Sequence, residues 1–158
     1  MNQIPITRNG AESLKAELKQ LKSVERPNVV QDIAEARAQG DLSENAEYDA
    51  AKERQGFIEG RLSQIEAILS QAIIIDPSLL NVDGKCVFGS TVEIEDLDEE
   101  KKVTYQIVGD DEADIKEKKI SINSPLAKAM IGKEEGDVID FESPGGLKNY
   151  EIMKISYV

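Results

Sequence analysis

The spacing of apolar residues divides the chain into a helical first half and a second half made of strands. Between Ala11 and Ala72, apolar residues recur at intervals of three and four, which places them on one face of a helix. In the second half the interval changes to two, as in strands with one buried face. The pattern predicts an α+β protein, in which a helical hairpin precedes a small, mostly antiparallel β domain with one short helix.

The helical half contains two long amphipathic segments joined by a few residues, so the helices must run antiparallel. Thr7 or Asn9 is a suitable cap for the first helix. Pro27 lacks a backbone donor and crowds the preceding turn, so we expect a kink or a shift of helical register between Glu25 and Pro27. Beyond it, apolar spacing resumes at Val29, Val30, Ile33 and Ala36. The second helix has an unbroken coiled-coil seam: Tyr48, Ala51, Gln55, Ile58, Leu62, Ile65, Leu69 and Ala72.

These patterns predict a hairpin over residues 1–76, a linker over 77–84 and a β domain over 85–158. Residues 1–7 are expected to be irregular, and 73–75 to end the second helix. Asp76 precedes a proline, which disfavours helix, and the following residues are rich in Asn, Asp, Ser and Gly. Period-two alternation predicts strands over residues 85–88, 91–96, 103–108, 119–122, 137–141 and 150–157, and a short helix over 124–131.

The turn between the two long helices carries two carboxylates, Asp41 and Glu44, three positions apart. Gly40 can adopt a positive φ and end the first helix, while Asp41 and Glu44 have the spacing of a capping box at the start of the second. The same spacing would put both carboxylates on one helix face. Mg2+ usually takes one or two protein carboxylates and completes its shell with water and phosphate. Two hypotheses therefore stand: a helix cap, or half of a metal site completed by a partner.

Composition narrows the function classes. A net charge of −12 excludes general attraction to nucleic-acid phosphates, and the absence of histidine excludes histidine-based triads and zinc sites. The single cysteine, Cys86, excludes an internal disulfide and fits a reducing compartment. No apolar run approaches the roughly 20 residues of a membrane span, and we see no signal peptide. We therefore expect a cytoplasmic protein without membrane contact.

Two further groups of charged residues stand out. Arg37 and Lys52 lie within about three helical turns of the turn residues, and are either solvated surface or contacts to a phosphate backbone. Asp110, Asp111, Glu112 and Asp114 form an acidic cluster without the spacing of an EF-hand. We expect this cluster to be a solvated loop.

Several segments carry a family resemblance. The nonapeptide GDLSENAEY at residues 40–48 resembles the tip signature of bacterial transcript-cleavage factors of the Gre family. The segments IPIT at 4–7, VGDDEAD at 108–114, ISINSPL at 120–126 and IGK at 131–133 are similar to that family as well. The resemblance spans essentially the whole chain. It implies that the β domain resembles the FK506-binding-protein fold.

The resemblance also implies a function. In this family the hairpin enters the secondary channel of RNA polymerase, where Asp41 and Glu44 would help to hold a Mg2+ ion of the polymerase active site. The polymerase would then cleave backtracked RNA near its 3′ end, so the protein would be a cofactor of that enzyme and not an enzyme itself. The isolated monomer would bind no metal tightly.

The same resemblance implies roles for other residues. Arg37 and Lys52 would face the nascent RNA, and Asn45 and Tyr48 would support the tip. The segment Asn123-Ser124-Pro125 would dock on the polymerase.

Two alternatives remain. A channel-binding inhibitor or passive coiled-coil adaptor would need the long hairpin but not the carboxylates. A peptidyl-prolyl isomerase would follow from fold analogy alone, and the second half offers few aromatic residues for its pocket. Those residues are Phe88, Tyr105, Phe141, Tyr150 and Tyr157.

Overall fold

A computed structural model describes residues 3–40, 45–80 and 83–158, which form two compact units. The first is Ala11–Gln71, and the second combines the start of the chain, up to Gly10, with Ala72–Val158. The helical unit therefore begins later and ends earlier than the expected hairpin over residues 1–76. The α+β class is confirmed: the first unit is helical and the second is built on a β-sheet.

The hairpin is formed by three helical segments and one irregular turn. The segments are α1 (Arg8–Gln20), α2 (Arg26–Ala38) and α3 (Ala46–Gln71). Between α1 and α2, Leu21–Glu25 forms a π-helical turn, in which the Arg26 N–H donates to the Leu21 carbonyl. This turn confirms the predicted register shift, because it inserts an extra residue directly before Pro27.

The seam between the helices is largely as predicted. Val29, Ile58 and Leu62 are buried together, and Leu18 and Leu21 pack against them. The remaining buried apolar residues of this unit are Ala11, Leu14, Ile33, Ala36, Ala51 and Ile65. Val30, which the sequence includes where apolar spacing resumes, lies outside the seam: its side chain is 52% exposed, since a neighbour of Val29 on a helix faces another direction.

Ion pairs between described residues cross the hairpin and fix its antiparallel register. They are Glu17–Arg61 (2.7 Å), Lys22–Glu66 (3.3 Å), Arg26–Glu59 (2.8 Å) and Asp32–Arg54 (3.2 Å). Arg26 Nε and Nη2 donate to the two oxygens of the Glu59 carboxylate, and these hydrogen bonds lower the pKa of Glu59. Such half-exposed pairs contribute little to stability, so their main effect is to specify register.

The second unit contains a five-stranded sheet. The strands are β3 (Thr91–Asp96), β4 (Lys101–Val108), β5 (Lys119–Ser121), β6 (Val138–Ser143) and β7 (Gly146–Ser156). They lie in the order β5-β4-β3-β7-β6, and all neighbouring strands are antiparallel except β4 and β5. Helix α4 (Pro125–Met130) buries Ala127 and Met130 in the same core as Val92, Ile94 and Ile152. The strands and helix predicted from residue 91 onwards are confirmed within a few residues.

A second, smaller sheet pairs the start of the chain with the residues after α3. Strand β1 (Ile4–Thr7) runs parallel to β2 (Ala72–Ile75), with Ile4 opposite Ala72. The expectations of an irregular start and of a helical end at 73–75 are therefore wrong. Each segment is only four residues long, and its partner is remote in the sequence.

Residues 85–88 are not a strand, which corrects another expectation. Lys85 makes only an isolated bridge to Glu134, and the chain then turns at Gly89, which has a φ of 90°. Cys86 is fully buried in the core, and burial raises the pKa of its thiol.

The acidic turn after β3 is organised by Asp96. Burial alone would raise the pKa of this carboxyl, but the N–H groups of Asp98 (2.9 Å) and Glu99 (3.2 Å) and the Lys148 ammonium together lower it.

Within the ranges that the structure describes, no helix combines the length and apolar character that crossing a membrane requires.

Candidate functional site

The hairpin tip begins as the sequence predicts. Helix α2 ends at Ala38, and Gly40 adopts a φ of 128°, a conformation that favours glycine. Asp41, Leu42, Ser43 and Glu44 lie outside the described residues, so their assignment as metal ligands stays a prediction. The next described residue is Asn45, which directly precedes α3.

Asn45 caps α3. Its Oδ1 accepts a hydrogen bond from the Tyr48 N–H at 3.0 Å, the contact that an N-cap side chain makes with the third residue of a helix. Its Nδ2 donates to the Ala36 carbonyl in the last turn of α2 at 2.7 Å. The expectation that Asp41 caps the second helix is therefore wrong, because α3 begins at Ala46 and Asn45 holds the cap position.

Arg37 and Tyr48 meet across the tip. The Arg37 guanidinium carbon lies 6.0 Å from the centroid of the Tyr48 ring, within range of a cation–π contact. The structure thus brings together Arg37, Asn45 and Tyr48, three of the residues predicted for the tip. Lys52 lies one turn further along α3, where its exposed ammonium donates to Gln55 Oε1 at 3.2 Å.

At the tip, the sequence predicts half of a Mg2+ site. Among the residues that the structure describes, no group of three or more Cys, Asp or Glu side chains is close enough to hold a metal ion. The chain offers two hard carboxylate oxygen donors at 41 and 44. Mg2+ keeps several waters or phosphate oxygens beside one or two carboxylates, so these residues could hold it only together with a partner.

The predicted docking segment has a defined conformation in the second unit. Ser124 caps α4: its Oγ accepts from the Ala127 N–H at 3.3 Å and donates to the Ser121 carbonyl at 2.7 Å. Pro125 is the first residue of α4. Asn123 Nδ2 donates to Asp110 Oδ2 at 2.9 Å, and the Ser121 hydroxyl donates to the other oxygen of the same carboxylate.

The acidic cluster at residues 110–114 is exposed at Asp110, Asp111 and Asp114, as expected of a solvated loop, but its side chains also bond other parts of the second unit. The Asp110 carboxylate accepts hydrogen bonds from Ser121 and from Asn123 of the predicted docking segment. The Asp114 carboxylate accepts from the Lys116 N–H at 3.0 Å and caps a short 3-10 turn. The Glu112 side chain is only 13% exposed and accepts a hydrogen bond from the Thr7 hydroxyl.

Comparison with known proteins decides the family. The family model described as "Transcription elongation factor, N-terminal" matches residues 4–74, and that described as "Transcription elongation factor, GreA/GreB, C-term" matches residues 81–157. A transcription elongation factor GreA from Neisseria meningitidis serogroup A is 61% identical over 158 residues, and one from Ralstonia nicotianae is 63% identical. Each covers 100% of both chains. The chain belongs to the GreA/GreB family of transcription elongation factors.

One solved structure is less similar to this chain. The GreA factor homolog 1 protein of Thermus thermophilus is 29% identical and covers 98% of this chain and 99% of its own, with a TM-score of 0.45.

The sequence did not reveal the contacts that two acidic residues of this GreA/GreB protein make. Asp110 and Glu112 belong to a run of acids that looks solvated, because their partners Asn123 and Thr7 are distant in sequence. The double contact of Asn45 was also missed, although a good cap residue directly before a long periodic segment was a usable signal.

Proposed function

We propose that this GreA/GreB protein inserts its hairpin into the secondary channel of RNA polymerase. There it stimulates the polymerase's own Mg2+-dependent cleavage of backtracked 3′ RNA and so rescues arrested complexes. The protein acts as a cytoplasmic monomer and is a cofactor of the polymerase, which performs the reaction. In this proposal Asp41 and Glu44 contribute carboxylate oxygens to a metal held mainly by the polymerase.

The capping contact of Asn45 is the observation that favours this role for the two acids. A capping box was the competing explanation of their spacing. Because Asn45 caps α3 and already bonds the Tyr48 N–H, the start of this helix does not need Asp41 as its cap.

The length of the hairpin supports the same proposal. Helix α3 has 26 residues, which at about 1.5 Å per residue gives a length of about 39 Å. A two-helix hairpin buries only one stripe per helix, so this length is not explained by core formation. A long arm with cross-helix ion pairs suits a protein that must carry its tip into a deep channel.

The chemistry assigned to this chain is electrostatic. When bound beside these residues, Mg2+ would activate a water molecule and stabilise the departing oxygen of the RNA. Asp41 and Glu44 would supply oxygen ligands, and Arg37 and Lys52 would contact RNA phosphates. The contact with the Tyr48 ring would keep the Arg37 guanidinium at the tip. Asn123, Ser124 and Pro125 would dock the second unit on the polymerase surface.

A cleavage assay on a stalled, backtracked polymerase tests the proposal. We expect Asp41→Asn and Glu44→Gln to reduce cleavage to the level seen without the factor, while competition with the wild-type protein for polymerase stays unchanged. Glu53→Gln is the matched control, because Glu53 is an exposed acid on α3 outside the tip. Full stimulation by a variant that lacks both tip acids would overturn the proposal and leave a channel-binding inhibitor or passive adaptor.

A further inference from the structure

One carboxylate, that of Asp110, holds Asn123 by two routes. Asp110 follows strand β4 and Asn123 follows β5, which pairs with β4. Asn123 Nδ2 donates to Asp110 Oδ2 at 2.9 Å, and the Ser121 hydroxyl donates to Asp110 Oδ1. Because that hydroxyl spends its hydrogen on Asp110, its oxygen is left to accept the Asn123 N–H at 3.0 Å. Asp110 therefore orders both the amide and, through Ser121, the backbone of Asn123.

The chemistry of this contact fixes which way the Asn123 amide is turned. A carboxylate has acceptors but no hydrogen to donate, so only the NH2 end of the amide can face Asp110. Asn123 is exposed, and among the residues that the structure describes no donor reaches its Oδ1. The docking segment predicted from the sequence thus carries a hydrogen-bond acceptor that is open to a partner.

The backbone around this amide is held independently of Asp110. The Ile122 N–H donates to the Val108 carbonyl at 2.8 Å, and the Ser124 N–H donates to the Ser121 carbonyl at 2.9 Å. The Ser124 hydroxyl donates to the same Ser121 carbonyl at 2.7 Å. A change at Asp110 that preserves hydrogen bonding should therefore affect the amide of Asn123 and leave the fold of the segment intact.

We propose that Asp110 is a positioning residue for docking, which turns the Asn123 amide so that Oδ1 accepts a hydrogen bond from an N–H group on the surface of RNA polymerase. This inference rests on the proposed function, in which residues 123–125 dock the second unit. It adds a residue outside that segment, and it adds the chemical class of the polymerase group that the segment meets.

The variant Asp110→Asn reverses this arrangement without removing it. The new amide can still accept from the Ser121 hydroxyl, but its NH2 group faces Asn123. The Asn123 amide must then turn over to accept that group, which directs its own NH2 end towards the polymerase donor. Both hydrogen bonds within the unit are kept, while the acceptor at the docking surface is lost.

Two further variants separate amide orientation from charge. In Asp110→Asn/Asn123→Asp the amide at position 110 donates to a carboxylate at position 123, whose second oxygen is again an acceptor for the polymerase. This double variant has the net charge of the wild-type protein. Asp140→Asn removes one negative charge from an exposed position on β6, at the opposite edge of the sheet from β5.

The experiment measures cleavage by backtracked bacterial RNA polymerase as a function of factor concentration, with the full-length protein. For Asp110→Asn we expect the half-saturating concentration to rise by about tenfold, the usual consequence of leaving one hydrogen-bonding group unpaired. The maximal rate should match wild type, because the tip is unchanged. The double variant should recover most of the lost affinity, and Asp140→Asn should match wild type. Urea unfolding followed by tyrosine fluorescence should give Asp110→Asn a wild-type midpoint.

An unchanged half-saturating concentration in Asp110→Asn would overturn the proposal. So would an equal rise in Asp140→Asn, which charge alone would explain, or a double variant as weak as Asp110→Asn. A lowered urea midpoint in Asp110→Asn would assign the residue a structural role instead. If wild type stimulates cleavage and Asp110→Asn matches it in affinity, only the positioning role fails; if the wild-type protein does not stimulate cleavage, the proposed function fails as well.

Discussion

Replacing Thr7 by valine should destabilise the second unit through a single hydroxyl group. Thr7 is 1% exposed and directly precedes α1, where its Oγ1 accepts the Gly10 N–H at 3.0 Å. The same hydroxyl lies 2.6 Å and 2.7 Å from the two Glu112 carboxylate oxygens and donates its hydrogen to them. Thr7 therefore caps α1, one of the two caps expected from the sequence, and also connects β1 to the acidic cluster.

The size of the effect follows from these contacts. A hydrogen bond to a charged group contributes about 1.5–3 kcal/mol, and loss of a helix cap costs about 1 kcal/mol. Valine has nearly the shape of threonine, so it leaves little cavity. Glu112 would retain only the Lys119 ammonium at 3.9 Å among its contacts to described side chains. Because the two contacts share one hydroxyl, we expect about 2–3 kcal/mol of destabilisation.

Urea unfolding followed by tyrosine fluorescence measures this effect in the relevant unit. Three of the four tyrosines, Tyr105, Tyr150 and Tyr157, lie in the second unit, and the chain has no tryptophan. With a slope of about 1–3 kcal/mol per molar urea, the midpoint should fall by about 0.7–3 M.

Thr7→Ser is the control, because it keeps the hydroxyl and removes only a methyl group, at a cost of about 0.8 kcal/mol. A double-mutant cycle with Glu112→Gln should give a coupling energy of about 1 kcal/mol or more between the two positions. A Thr7→Val midpoint equal to wild type, or additive effects in the cycle, would refute the assignment of stability to this contact.

Three further predictions concern the second unit. Gly109→Ala should lower its urea midpoint, because a Cβ there would lie 2.9 Å from the Pro5 carbonyl oxygen; an unchanged midpoint would mean that this approach is not tight. Asp96→Asn should flatten the loss of stability in acid: the lowered pKa of Asp96 stabilises the fold fully above about pH 4, and that contribution disappears as pH falls below it. Equal acid slopes in unfolding titrations of variant and wild type would contradict this. Cys86 should react with an aromatic disulfide reagent only after unfolding, since the thiol is buried and its pKa is raised; rapid labelling of the native protein would contradict the buried position.

The hairpin could be predicted from sequence because its signal is long and local. Helix α3 repeats its apolar spacing over several turns, and Pro27 marks the register shift by its own covalent structure. Strands β1 and β2 gave no comparable signal. Each has four residues, and their parallel pairing joins positions 4–7 to 72–75, which no local pattern encodes.

The candidate site, too, could be predicted from the sequence only in part. The sequence identified Gly40, Arg37 and Tyr48 near the tip, but local propensity could not choose between Asp41 and Asn45 as the cap, since both types are favoured there. The start of α3 at Ala46 decides between them. The roles of Asp110 and Glu112 depend on Asn123 and Thr7, and became visible only when the fold brought these residues together.

The central claim is that two tip acids of this chain lend oxygens to the catalytic metal of RNA polymerase. The most direct test is the Mg2+ dependence of transcript cleavage in a backtracked complex with saturating factor. With the wild-type protein, half-maximal cleavage should require less Mg2+ than with polymerase alone. With the Asp41→Asn/Glu44→Gln variant, the curve should coincide with that of polymerase alone. A double-variant curve that matches wild type would contradict the claim.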